Sequence, residues 1–149
     1  MTKSEQFEAL ALRCEQATGA DRRLDAEIDC QVRFPDLRPA ELDDHKEYQR
    51  GFPPHAGNIW CPTGFLLAPS YTDSVDAALT LVPEGMRPSV GQNVHHGYWH
   101  AFVQSIVDST PHQLGVADSN TSGALALCAA ALRARAQMKG GSDGCEQQD

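Results

Sequence analysis

Three histidines stand close together in the segment HHGYWH, and their spacing raises the question of a metal site. In a helix, His96 and His100 would share one face and could bind zinc. Gly97, Tyr98 and other neighbours favour a strand instead, and residues four apart in a strand lie about 13 Å from each other. One ion cannot be held over that distance, so the segment alone does not predict a metal site.

A metal ion would therefore need ligands from elsewhere in the chain. The candidates for that role are His112, Asp108 and His55. We expect no cofactor and no metal. If a metal ion is bound, the ligands would be His96, His100 and His112.

Other catalytic patterns are weak. The segment GVADSNTSG, residues 115–123, precedes a helix and could cradle a phosphate at its N-terminus, but no P-loop lysine follows. The five cysteines form no CxxC pair, and the sequence contains no GxSxG motif. We predict no catalytic residue, and a non-enzymatic protein is favoured over an enzyme.

Aromatic and histidine side chains instead indicate a binding surface. Trp and Tyr combine rigid contact area with a polar group, which suits ligand pockets and protein interfaces, although both also occur in cores. The predicted ligand- or partner-binding residues, in a surface that also includes residues 33–57, are Trp60, Tyr71, His95, His96, Trp99 and His100.

Composition limits the classes of partner. The chain has 149 residues and a formal net charge of −8, which makes nucleic acid an unlikely partner because that affinity depends on neutralised phosphates. No apolar run approaches the ~18 residues of a membrane span. The N-terminal residues lack signal-peptide features, so we expect no membrane partner and a cytoplasmic location. The sequence is compatible with a homo-oligomer as well as with a monomer.

Periodicity predicts an α+β fold in the order α-α-loop-β-β-α-β-β-α. It consists of a small, mostly antiparallel sheet packed with helices as a layered sandwich. Residues 1–139 form one domain, with an irregular, proline-rich insertion at 33–57 and a disordered tail at 140–149. The segment GYWHAFVQSIVD is the strongest strand. Its one face would carry Trp99, Ala101, Val103, Ser105 and Val107, and its other Tyr98, His100, Phe102, Gln104 and Ile106.

Capping residues and apolar stripes define the helices. The first helix would begin at Ser4 and end at Gly19, and the second would be capped by Asp21. In YTDSVDAALTLVPEG, Asp73 or Ser70 would cap a helix. Its apolar stripe would be Val75, Ala78, Leu79 and Val82. The last helix, rich in Ala and Leu, would be capped by Asn120, Thr121 or Ser122 and end at the glycine pair 140–141.

Three separated segments resemble a known group of proteins. They are LALRCEQATGADRRLDAEI, PSYTDSVDAALTLVPEGM and TSGALALCAAALRARA. Together they are similar to the phage alpha-beta-alpha (ABA) sandwich domain family, small proteins of phages and prophages. The resemblance covers most of the chain in order, rests on packing motifs, and implies no assigned activity and no catalytic residues.

The resemblance and the residues together favour one function over two alternatives. The favoured function is a non-enzymatic phage or prophage accessory protein that binds a partner protein or a small ligand; counteraction of host defence would suit such a protein. One alternative is a small metal-dependent hydrolase or nuclease that uses His95, His96 and His100. The other is a virion or assembly component.

Overall fold

The computed structural model describes residues 1–41, 44, 54–107 and 110–146. This part of the chain forms four helices and two antiparallel sheets of three strands each, which confirms the predicted α+β class. The elements are α1 (Lys3–Gln16), α2 (Arg22–Val32), β1 (Arg38–Pro39), β2 (Asn58–Cys61), β3 (Gly64–Leu67), α3 (Val75–Leu79), β4 (Arg87–Asn93), β5 (Tyr98–Val107), β6 (Thr110–Ser119) and α4 (Gly123–Glu146).

The chain divides into two compact units. Unit 1 comprises Met1–Ala20 and Tyr71–Asp149, and unit 2 comprises Asp21–Ser70. Each unit has its own sheet, helix packing on that sheet and its own buried residues. The single domain expected over residues 1–139 stays a prediction.

Unit 2 is built from α2 and the sheet β1-β2-β3. Asp21 caps α2 as predicted, because its side chain accepts a hydrogen bond from the Leu24 N–H. The first β-β pair of the predicted order is β2 and β3, which pair antiparallel and are joined by a turn at Pro62 and Thr63. The apolar cluster of this unit consists of Ala26, Cys30, Ile59 and Ala68, with Phe34 and Leu37 packed against it.

Helix α4 is the centre of unit 1. Its residues from Ala124 to Leu132 are all buried, since the helix contacts the sheet β4-β5-β6 and also packs against α1. Most of these residues are alanine, and small side chains let neighbouring backbones approach closely. The approach is closest at Gly115 of β6, where an added Cβ would overlap the carbonyl oxygen of Ala130.

Helix α1 buries the predicted face, Phe7, Leu10, Ala11 and Cys14. The predicted cap at Ser4 is wrong. Thr2 is the N-cap and forms a capping box with Glu5, while the Ser4 hydroxyl donates to the carbonyl oxygen of Ala136. The helix ends at Gln16, before Gly19 is reached.

Helix α3 is shorter than its sequence pattern indicates. Ser74 is its N-cap, so the predicted caps Asp73 and Ser70 are wrong. The helix has five residues, which is too short for an apolar face to extend over two turns. Val75 and Leu79 are therefore each 40% exposed. Ala78, from the predicted stripe, is buried, and so is Leu81, which lies outside that stripe.

Two strands and one helix end differ from the sequence prediction. The strands β1 and β6 were not predicted; β6 includes residues that the sequence indicated as a glycine loop before the last helix. Helix α4 continues to Glu146, past the predicted glycine stop at 140–141 and into the predicted tail. The strands at 87–93 and 98–107 are the second β-β pair of the predicted order.

Candidate functional site

The sheet of unit 1 has one packed face and one face with an open cleft. Ala101 and Val103 are fully buried on the packed face, where the ring of Trp99 also lies against Gly123 at the start of α4. The alternate residues of β5 point to the opposite side, which we call the outer face. It contains Ser89, Gly91 and Asn93 of β4, Tyr98, His100 and Phe102 of β5, and Val116 and Asp118 of β6.

The cleft on the outer face has a volume of about 350 Å³. Its lining residues are Ser89, Gly91, Gln92, Asn93, Tyr98, His100 and Phe102. Gly91 lies directly opposite His100 in the β4–β5 register, and no atom lies within 4 Å of the position that a Cβ would take there. Because Gly91 has no side chain, the space above it is open. The neighbouring aromatic residues border this space.

His100 is held by an aspartate on the next strand. His100 and Asp118 are partners in the β5–β6 register, and His100 Nδ1 lies 2.6 Å from Asp118 Oδ1. A carboxylate only accepts hydrogen bonds, so it fixes the proton on Nδ1. When the imidazole is neutral, Nε2 is then its acceptor nitrogen.

The β4–β5 turn positions Tyr98. Asn93 Oδ1 accepts the backbone N–H groups of His95 and His96, each at 3.1 Å, and its backbone oxygen accepts the N–H of Gly97. Gly97 has φ +75°, a conformation that favours glycine. The remaining group of Asn93, Nδ2, donates to the Tyr98 hydroxyl oxygen at 3.2 Å. The O–H of Tyr98 is thereby left to donate to a ligand.

Charged side chains form hydrogen bonds with backbone groups of β6, at the edge of the sheet. The N–H of Asp118 donates to Glu15 Oε2, and Arg133 Nη1 donates to the backbone oxygen of Val116. Arg133 also pairs with Glu15 at 2.6 Å, and this hydrogen bond lowers the pKa of Glu15 from its ordinary value. Edge groups satisfied in this way are not available to a pairing strand.

Of the predicted binding residues, the cleft includes His100, and His96 adjoins it. The His96 ring stacks on Tyr98 with centroids 6.2 Å apart, and His95 is exposed in the same turn. Trp99 points to the packed face and is half-buried there, so it is not part of the outer face, and its role in binding stays a prediction. Alternation of side chains along β5 separates Trp99 from its neighbours Tyr98 and His100.

The other two aromatic residues are not on the β4-β5-β6 sheet. Tyr71 is only 2% exposed, and its backbone oxygen accepts a hydrogen bond from the Cys128 thiol, so it is a core residue of unit 1. Trp60 belongs to unit 2, where it is half-buried with the Arg38 guanidinium 5.1 Å from its ring. The surface predicted from 33–57 falls partly outside the described residues, at 42–43 and 45–53.

The predicted metal ligands are not brought together. His112 is the partner of Ser105, five positions along β5 from His100, which corresponds to about 16 Å. Asp108 lies outside the described residues, and His55 belongs to unit 2. Within the described ranges, no group of three His, Cys, Asp or Glu side chains could hold a metal ion.

Sequence reasoning missed Gly91, Asn93 and Asp118. The alternation of β5 gave Tyr98, His100 and Phe102 on one face, but the partners of that face come from β4 and β6. Because β6 was not predicted, nothing in the sequence placed Asp118 beside His100.

Comparisons with known proteins found no match. No protein-family model, no curated protein and no solved structure matches the chain. In the part of the chain that the structure describes, no helix has the length and apolar character needed to cross a membrane.

Proposed function

We propose that the protein is a non-enzymatic binding protein that uses the outer face of the β4-β5-β6 sheet to hold a ligand or a partner. The observation that carries this proposal is the cleft beside Gly91, in which Tyr98 and His100 are each fixed by a neighbouring polar side chain. Side chains held in place before binding lose less entropy when a ligand arrives.

The composition of the outer face supports binding over a merely structural role. A solvent-facing sheet surface usually carries polar residues, and this one carries Tyr98, Phe102 and Val116 in addition to its polar residues. Val116 is 40% exposed, and Val94 in the adjoining turn is 79% exposed. The surface therefore combines apolar contact area with a few oriented polar groups, the usual composition of a ligand site.

The biological setting that we propose is a phage or prophage. It rests on the resemblance of three segments to the phage ABA sandwich domain family, whose motifs are helix faces and caps. An accessory protein of this kind would act inside a bacterial host by binding a host molecule, and counteraction of host defence is the role that such binding would serve.

Native mass spectrometry of protein purified from its bacterial host tests the binding function. We expect the wild type to carry a bound species, either a small molecule or a partner protein, that is absent from the denatured mass. Tyr98→Ala and His100→Ala should lose that species. Leu12→Ala is the matched control, because Leu12 is 48% exposed on α1 and is not part of the outer face.

Two results would contradict the proposal. One is a wild-type protein that carries no bound species and takes up none from host extract. The other is a species retained equally by Tyr98→Ala, His100→Ala and Leu12→Ala, which would place the binding site elsewhere on the chain.

A further inference from the structure

The cleft presents two hydrogen-bonding groups of opposite character. The Tyr98 hydroxyl oxygen already accepts from Asn93 Nδ2, so its O–H remains to donate. His100 Nδ1 is engaged by Asp118, so Nε2 is the ring nitrogen that faces a ligand, and it is an acceptor when the ring is neutral. These residues are two positions apart on one strand and point to the same side. A ligand that satisfies both must carry an acceptor and a donor of its own.

The walls of the cleft suit a flat ligand. Two ring pairs border the cleft: His96, in the turn before β5, stacks on Tyr98 with an interplanar angle of 19°, and the His100 ring lies 6.1 Å from the Phe102 ring at an angle of 50°. The open space over Gly91 lies beside these rings and has no side chain of its own. Aromatic faces bind planar rings by stacking, and the contribution is about 1–3 kcal/mol per nucleic-acid base in proteins that use it.

The charges near the cleft disfavour an anion. The Asp118 carboxylate lies next to His100 on the outer face, and its side chain is 60% exposed. Arg87 lies on the same side of β4 as Gly91, but it is four residues away, or about 13 Å. The whole chain carries a formal net charge of −8. An added phosphate near Tyr98 and His100 would therefore be repelled.

From these three features we infer the class of ligand: a small, planar heteroaromatic molecule with a donor and an acceptor on its edge and no negative charge. Nucleobases and nucleosides are the common members of that class. The ring would stack over Gly91 beside His100, accept a hydrogen bond from Tyr98 and donate one to His100 Nε2. This inference rests on the proposed binding function of the outer face and specifies its ligand.

Titration of the full chain with nucleosides tests the inference, with uridine, cytidine, adenosine and guanosine as probes and NMR chemical shifts as the readout. We expect saturable binding of at least one nucleoside, with shifts in the amides of β4 and β5. The matching 5′-monophosphate should bind more weakly. Tyr98→Phe keeps the ring and removes the donor, which should weaken binding by about two- to tenfold.

Gly91→Val is the decisive variant. A valine side chain would fill the space over position 91, which is open, and valine is favoured in strands, so the variant should fold. It should weaken nucleoside binding by at least about tenfold, or about 1.4 kcal/mol. Gln113→Val is the matched control: it places the same valine side chain at an exposed position of β6 that does not line the cleft.

The outcomes separate the ligand class from the binding surface. A wild type that binds no nucleoside, or Gly91→Val that binds as tightly as the wild type, overturns the inference. If the wild type binds no nucleoside but retains a host species that Gly91→Val loses, the ligand class is wrong and the outer face remains the binding site. If Gly91→Val alters neither nucleoside binding nor retention of the host species, both proposals fail.

Discussion

At the scale of single residues, two glycines on opposite sides of one sheet have opposite roles. Gly115 faces α4 and allows the helix backbone to approach, since an added Cβ would overlap the Ala130 carbonyl oxygen. Gly91 faces outward over the cleft, where an added Cβ would meet nothing within 4 Å. The same residue type thus permits packing at one position and leaves space for a ligand at the other.

This contrast predicts unequal effects of the same substitution. Gly115→Ala should lower the free energy of unfolding by about 1–3 kcal/mol, because the β6 and α4 backbones must move apart. Gly91→Ala should change it by less than about 0.5 kcal/mol, as is usual for exposed positions. Urea denaturation of both variants measures the difference, and equal stabilities would contradict the close approach of β6 to α4.

Glu15 predicts a dependence of stability on pH. Its pKa is lowered below the ordinary value of 4.5, first by the hydrogen bond from Arg133. A carboxyl group whose pKa is lower when folded contributes stability above its unfolded pKa. That contribution is lost as the pH falls from about 4.5 through the folded value. Glu15→Gln should therefore cost about 1 kcal/mol at pH 7 and much less at pH 3.

The measurement for Glu15 is the unfolding free energy of wild type and variant at several pH values. Glu84→Gln is a suitable control, because Glu84 is exposed and belongs to no described ion pair. A Glu15→Gln effect that is the same at pH 3 and pH 7 would mean that the charge of Glu15 contributes nothing through Arg133.

At the scale of elements, α4 begins at a defined cap. The Ser122 hydroxyl oxygen accepts the N–H of Leu125 at 3.2 Å, and the Ser122 backbone oxygen accepts the N–H of Ala126. Ser122→Ala should lower the unfolding free energy by about 1 kcal/mol, while Ser122→Asp should preserve it because Asp is also a favoured cap. Thermal unfolding of the pair checks this, and equal loss in both variants would show that the capping bond is unimportant.

Sequence patterns identified some elements and missed others for a physical reason. The buried faces of α1 and the composition of α4 are strong signals, and both helices were predicted. β6 was missed because its buried residues Gly115, Ala117 and Ser119 are small, as the close approach of α4 requires. Small residues give no apolar alternation to recognise.

The same reason limits what sequence can show of the site. The three cleft residues of β5 follow from strand alternation alone. Asp118 is adjacent to His100 only through the pairing of β6 with β5, and register depends on contacts that a single sequence does not display. Trp99 and Tyr71 were assigned to a surface from residue type, which does not distinguish core from interface for these aromatic residues.

At the scale of the whole molecule, the chain order of the two units leads to a further prediction. Unit 1 consists of two separated segments, and unit 2 is the stretch of residues 21–70 between them. The contacts of α4 with α1, with α3 and with the β4-β5-β6 sheet are all made within unit 1. Its hydrophobic core should therefore form without residues 21–70.

A variant in which residues 21–70 are replaced by a flexible Gly/Ser linker tests this expectation. We expect cooperative thermal unfolding and an NMR spectrum in which the β4, β5 and β6 amides keep their wild-type shifts. Introducing Gly115→Ala into the shortened chain should lower its stability as it does in the full chain, because that contact lies inside unit 1. A shortened chain that unfolds without cooperativity would show that unit 1 needs unit 2 to complete its fold.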